Sequence, residues 1–172
     1  VSRGFAEVQV RVAPGYSFTL INVHLKSKRP VPHADEAALR LAEAEALRKI
    51  VGQHLAASPN LNLMVVGDLN DAPDTRPIKT VIGRGKRKLA DLRPFENNGD
   101  KARSTNRYPP RRITWTAYYG REDSYSRFDY LLASPGMASE LVREGTYVLA
   151  IPDWGVASDH RPLVATFMDC DE

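Results

Sequence analysis

The chain has 172 residues, 42% hydrophobic and 26% charged, which suits one globular domain with a buried core and excludes a disordered or low-complexity chain. No apolar run approaches the roughly 18 residues of a membrane-spanning helix. A single cysteine, Cys170, excludes an internal disulfide, and a formal charge of +3 leans mildly toward anionic partners without the basicity of a nucleic-acid wrapper.

Phe5 to Val12 alternates Val8, Val10 and Val12 with Gln9 and Arg11, which is strand periodicity. Pro14-Gly15 supplies a turn, and Ser17 to Leu25 follows as the second arm of an antiparallel hairpin. In that arm Ile21, Val23 and Leu25 share one face, and Asn22 and His24 share the other. Ala34 to Leu55 has helical spacing through Leu39, Ala42, Ala46, Ile50 and Leu55. Glu36–Arg40 and Glu45–Lys49 are expected as ion pairs on its outer face.

Leu61 to Val66 reads as a strand whose wholly apolar part is buried on both faces. Arg76 to Ile82 reads as a short helix and Lys88 to Leu92 as a short strand. Pro94 to Arg112 is polar and reads as a long surface loop. Ile113 to Tyr119 and Arg127 to Ala133 are strands joined by the polar stretch Gly120 to Ser126. Ser134-Pro135 opens a short helix, and Thr146 to Ile151 and Pro162 to Phe167 complete the strands. No internal repeat or linker composition divides the chain, so residues 1–172 read as one α/β unit.

Four segments carry candidate chemistry. In Val66-Gly67-Asp68-Leu69-Asn70-Asp71-Ala72-Pro73 a buried strand runs directly into polar groups, as it would at a sheet-rim site. An Asp/Asn-rich turn explains the same residues equally well. Ser158-Asp159-His160-Arg161-Pro162 places a hard-cation ligand beside an imidazole at a strand entrance; a turn Asp next to a surface His is the plainer reading. Asp129, in Arg127-Phe128-Asp129-Tyr130-Leu131-Leu132, is a carboxylate in an apolar strand that needs a partner, either a histidine or a nearby arginine. His24 sits near the end of its strand and alone would pass for a structural histidine.

In succession, NVHLKS, GDLN, RFDYLLAS and SDHRP resemble the endonuclease/exonuclease/phosphatase superfamily, from about Thr19 to Phe167. The resemblance implies a fold that is part of a four-layer α/β/β/α sandwich of the DNase-I-like type, mainly antiparallel with flanking helices. This chain would supply the later sheet and its helix. It also implies a Mg²⁺- or Mn²⁺-dependent phosphoesterase, most readily a nuclease. By residue, Asp68 matches the carboxylate that activates water, and Asn70 an amide donor to a phosphate oxygen. Asp159 matches a metal-shell carboxylate, His160 the histidine on the scissile phosphate, and Asp129 its orienting partner. His24 matches a further phosphate contact, and Asn22 and Lys26 beside it are candidates for substrate binding.

The early strand with its Asn, and the Glu that is the family's principal metal ligand, have no match here. The chain is therefore expected to be the later part of a longer domain. Self-association, or a partner covering an apolar sheet face, follows from that expectation. The alternative is a truncated or degenerate relative that binds phosphate ligands or a protein without turnover. Two basic segments, Lys26 to Arg29 and Arg84 to Lys88, are either polyanion contacts or solvated faces. Trp115 is expected in a strand-face core, with Tyr118 and Tyr119 nearby. Ser126 stands where relatives acting on abasic DNA carry Trp, which argues against that specialisation. Nothing in the residues assigns a compartment.

Overall fold

The structure is a computed structural model that describes residues 3–96 and 114–169. Stretch 97–113, which holds most of the expected loop and the start of the strand expected from Ile113, lies outside the described residues, as does Cys170.

The main sheet has five strands in the order β1-β2-β3-β8-β4. β1 (Ala6–Ala13) and β2 (Tyr16–His24) form the expected antiparallel hairpin. The chain then crosses through helix α1 (Glu36–Ala57) to β3 (Leu63–Asp68), which lies parallel to β2. A parallel pairing needs such a crossover, and the helix covers the sheet face it leaves. β8 (Asp129–Ala133) closes on β3 antiparallel, and β4 (Ala90–Asp91) pairs on its far side. The fold is α/β with mainly antiparallel pairing.

A core forms between α1, helix α2 (Arg76–Ile82) and one sheet face, from Ile21, Val23, Leu47, Val51, Leu63, Val65 and Tyr130 among others. On the other face a second sheet, of order β10-β9-β5, brings Leu141, Ala165 and Phe167 to Met64 and Leu131. Its strands are β5 (Phe95–Glu96), β9 (Leu141–Val148) and β10 (Leu163–Phe167). The chain thus contributes strands to two sheets, where the sequence led us to expect the later one alone. A hairpin of β6 (Ala117–Tyr119) and β7 (Ser124–Ser126), and short helices α3 (Pro135–Ser139) and α4 (Trp154–Ala157), complete the structure.

Some local expectations shift. The buried stripe of α1 is Arg40, Glu43, Ala44, Leu47, Val51 and Leu55, with Leu39 and Ala42 exposed, so the helix is turned by about one residue from the expected face. Arg40 is therefore not on an outer-face pair with Glu36: it is 4% exposed and reaches inward. Gly120 to Ser126 is not only a connector, because Ser124–Ser126 pairs with β6. β9 starts at Leu141 rather than at Thr146.

Candidate active site

Register builds the site. His24 on β2 stands opposite Asp68 on β3, and Asp68 stands opposite Asp129 on β8, so three adjacent strands deliver one polar row. Strand alternation puts Asn22 and His24 on the face of Phe18 and Leu20, opposite the helix-covered core. The face that is apolar along its length is thus polar at one end.

Gly67 makes the row possible. Its φ is +130°, and a Cβ there would lie 2.0 Å from the Val23 carbonyl oxygen and 3.1 Å from Asn22 Oδ1. Only glycine lets β3 approach β2 so closely at this level. Asn22 thus lies over Gly67, at the border of the site.

Both oxygens of the Asp68 carboxylate accept a hydrogen bond from Asn70. Oδ1 accepts the Asn70 backbone N–H at 2.8 Å, and Oδ2 accepts Asn70 Nδ2 at 3.0 Å. Asn70 takes a left-handed φ of 53°, which Asn tolerates, and its Nδ2 also donates to the Leu25 carbonyl at 3.0 Å. With both amide protons committed, Asn70 orients Asp68 and ties it to the end of β2; a phosphate oxygen would have to replace one of these acceptors. His24 Nε2 lies 3.5 Å from Asp68 Oδ2 on a half-exposed ring. Burial pushes the Asp68 carboxyl above its ordinary range; the Asn70 N–H opposes this, the Asp129 charge adds to it, and His160 and His24 oppose it.

His160 Nδ1 lies 2.8 Å from Asp129 Oδ2. A carboxylate only accepts, so Nδ1 carries the proton and Nε2 is left for a ligand. The bond to Asp129 raises the His160 pKa; burial opposes it, and the charges of Asp129, Asp68 and Asp159 add to the rise. Asp129 is therefore partnered by a histidine, whereas Arg127 forks onto Asp91 and stacks over Tyr130.

Asp159 is exposed, its backbone carbonyl accepting the Tyr118 N–H at 2.9 Å. Among the described residues no group of three or more His, Cys, Asp or Glu side chains gathers to hold a metal ion. A divalent cation such as Mg²⁺ wants about six oxygen ligands. The described residues offer it the uncommitted Asp159 carboxylate, while Asp68 and Asp129 are engaged elsewhere, so they do not by themselves compose a metal centre.

Lys26 does not point into the site. Its Nζ folds back onto the carbonyls of Ser27 (2.9 Å) and Arg29 (2.8 Å). Lys28 instead reaches Asp71 at 3.6 Å and lies over the Phe128 ring. The run Arg84 to Lys88 is exposed beyond α2, on the helix side of the sheet. Trp115 is no core residue: it is half-buried in an aromatic cluster with Tyr125 and Trp154, under the Arg161 guanidinium.

Several supporting groups escaped the sequence reading. Asp71 is buried against Arg40 (2.9 Å), and Arg40 also donates to the Lys26 carbonyl, so α1 clamps the loops on both sides of the row. The buried Glu43 carboxylate accepts the Lys26 N–H at 2.6 Å. Arg161 forks onto Glu96. The GDLN motif offered one signal, an acid directly after Asn70, and the rest had none.

The family model for the Endonuclease/Exonuclease/phosphatase family matches residues 2–160. The chain belongs to this family. No curated protein matches it in sequence. Its fold is similar to a beta toxin from Staphylococcus aureus (17% identity, TM-score 0.63, covering 96% of this chain and 57% of that one). It is also similar to sphingomyelinase C from Streptomyces griseocarneus (18%, 0.58, 94% and 56%). A third is the 3′ phosphatase NExo from Neisseria bound to a product DNA hairpin (18%, 0.56, 88% and 61%). At these identities the likeness is one of fold. This family member spans 56–61% of the length of those three chains.

Proposed function

We propose that this chain carries the water-activating and phosphate-contacting part of a phosphoesterase site, acting on phosphodiester or phosphomonoester bonds. One observation carries the reading: a carboxylate-held His160 stands at the same sheet end as the half-buried Asp68, with Asp129 next to both. Asp68, its proton affinity raised by burial, takes the proton of the attacking water, a contribution typically worth about 10²–10⁴ in rate. His160, kept protonated by Asp129, donates from Nε2 to an oxygen of the phosphoryl group where negative charge accumulates. His24 supplies a second donor, and Asn70 fixes Asp68 or exchanges one acceptor for a phosphate oxygen.

Nucleic acid is the substrate class we favour, supported by the net charge of +3 and by the likeness to a fold solved with a DNA hairpin. We further propose that turnover requires Mg²⁺ or Mn²⁺, with Asp159 the one ligand these residues offer; the ion would neutralise phosphoryl charge. A second reading, a phosphate-binding relative without turnover, is favoured by the absence of a metal-ligating cluster among the described residues.

The test is hydrolysis of a generic phosphodiester with added Mg²⁺, and with chelator, by this protein and by its Asp68→Asn and His160→Ala variants. Loss of roughly 10²-fold or more in both variants supports the site. Parent-like rates in both would sink it. Tight phosphate binding with no hydrolysis under any metal would select the second reading.

A further inference from the structure

We infer that Thr116 is the positioning residue that holds His160 and Asp129 in register with each other. The inference rests on the reading of that pair as the phosphate-contacting pair. Thr116 is 1% exposed and belongs to no strand, lying one residue before β6. Its Oγ1 accepts two backbone N–H groups at once, from Phe128 at 3.0 Å and Asp129 at 3.1 Å. β8 begins at Asp129, so a single side-chain oxygen does there what a neighbouring strand would otherwise do.

The same residue grips the other half of the pair. The Thr116 carbonyl accepts the Arg161 N–H at 2.7 Å, one residue beyond His160, which itself pairs with Ala117 only through an isolated bridge. The Thr116 N–H donates to Ser126, the last residue of β7. The Phe128 carbonyl, on the residue whose N–H Thr116 fixes, accepts the Leu69 N–H at 2.8 Å. Thr116 is thus the point where the segments carrying Asp68, Asp129 and His160 are joined. The backbone bonds survive any substitution of the side chain except proline. The hydroxyl is the part that specifically anchors the strand of Asp129, so it can be tested alone.

The experiment compares Thr116→Val and Thr116→Ser with the parent. Valine keeps the shape and removes the acceptor, whereas serine keeps the oxygen. The first readout is the exchange rate with water of the His160 Nδ1–H, followed by NMR in ¹⁵N-histidine-labelled protein, with Asp129→Ala, which removes the acceptor, as the control that abolishes its protection. We expect exchange at least about tenfold faster in the valine variant and parent-like exchange in the serine variant. The second readout is hydrolysis by this protein, where the valine variant loses about 10–100-fold in kcat with KM little changed, as for a group misplaced by an ångström or less. Should the valine variant not fold, the comparison is read on Thr116→Cys, whose sulfur is a weak acceptor.

Parent-like exchange in a folded valine or cysteine variant overturns the inference, as does a serine variant that loses protection. If Asp129→Asn and His160→Ala leave hydrolysis untouched, the functional reading fails instead, and the exchange measurement still decides what Thr116 does.

Discussion

Replacing Gly67 with alanine should damage fold and site together. The added Cβ would sit 2.0 Å from the Val23 carbonyl oxygen, while ordinary contacts lie at 3.4–4 Å, so β2 and β3 must part by about 1 Å even to reach a tight contact. The backbone cannot rotate away cheaply, because a φ of +130° is one that L residues rarely adopt. Strain of that kind costs about 1–3 kcal/mol. Parting the strands also weakens the Leu25 N–H bond to the Asp68 carbonyl, now 3.0 Å, and its ladder neighbours, at about 1 kcal/mol each. The sum is about 3–5 kcal/mol, a large share of the roughly 5–15 kcal/mol that holds a domain folded. Urea unfolding followed by circular dichroism measures it, and the midpoint should fall steeply with an unchanged slope. An alanine variant within about 1 kcal/mol of the parent would refute the claim that close strand approach fixes this glycine.

Other consequences are equally open to measurement. Because His160 has a raised pKa in the fold, its stabilising effect is fully present below the ordinary histidine value of about 6.5 and is lost as pH rises through the folded midpoint. Asp129→Asn should therefore destabilise more at about pH 5.5 than at about pH 9 in denaturant titrations, and an equal gap at both would contradict the pairing. Asp71→Ala strands the buried Arg40 and should cost about 3–5 kcal/mol by calorimetry, with Arg40→Met recovering much of that in the double variant; a single-variant cost under about 1 kcal/mol would mean the pair is not buried as described. We expect this chain to self-associate where the exposed Val12 and Met168 open onto an apolar cavity of about 350 Å³ between the two sheets, lined also by Phe18, Leu20 and Phe167. Light scattering should show it, with Val12→Lys weakening it, and a clean monomer at high concentration would count against it.

The elements that the sequence disclosed are those where one physical rule dominates. β2 alternates cleanly because one face is core, and α2 spans Arg76–Ile82 as expected because Pro77 marks its start. The row of His24, Asp68 and Asp129 could be suspected from three motifs, but its alignment is a property of strand register that no local pattern encodes. Where charged residues face inward, periodicity misleads. Arg40 and Glu43 occupy the buried side of α1 because the Lys26 carbonyl, the Lys26 N–H and Asp71 await them, so the apolar stripe looked rotated. β9 was half hidden by Arg143-Glu144-Gly145, and β7 by serines on a small exposed hairpin. Thr116 was silent, since a hydroxyl that caps a strand start looks like any other threonine between aromatics.

The site is assembled from pieces distant along the chain: Asn70 bonds to Leu25 across 45 residues, and His160 to Asp129 across 31. Loop-closure entropy must be met before such contacts form, and an isolated β1–β2 hairpin carries His24 alone of the row. During refolding, helix signal should therefore return before any phosphate-binding or hydrolytic signal. The polar end of the sheet would then serve as a timer, reporting the last parallel and antiparallel pairings to lock.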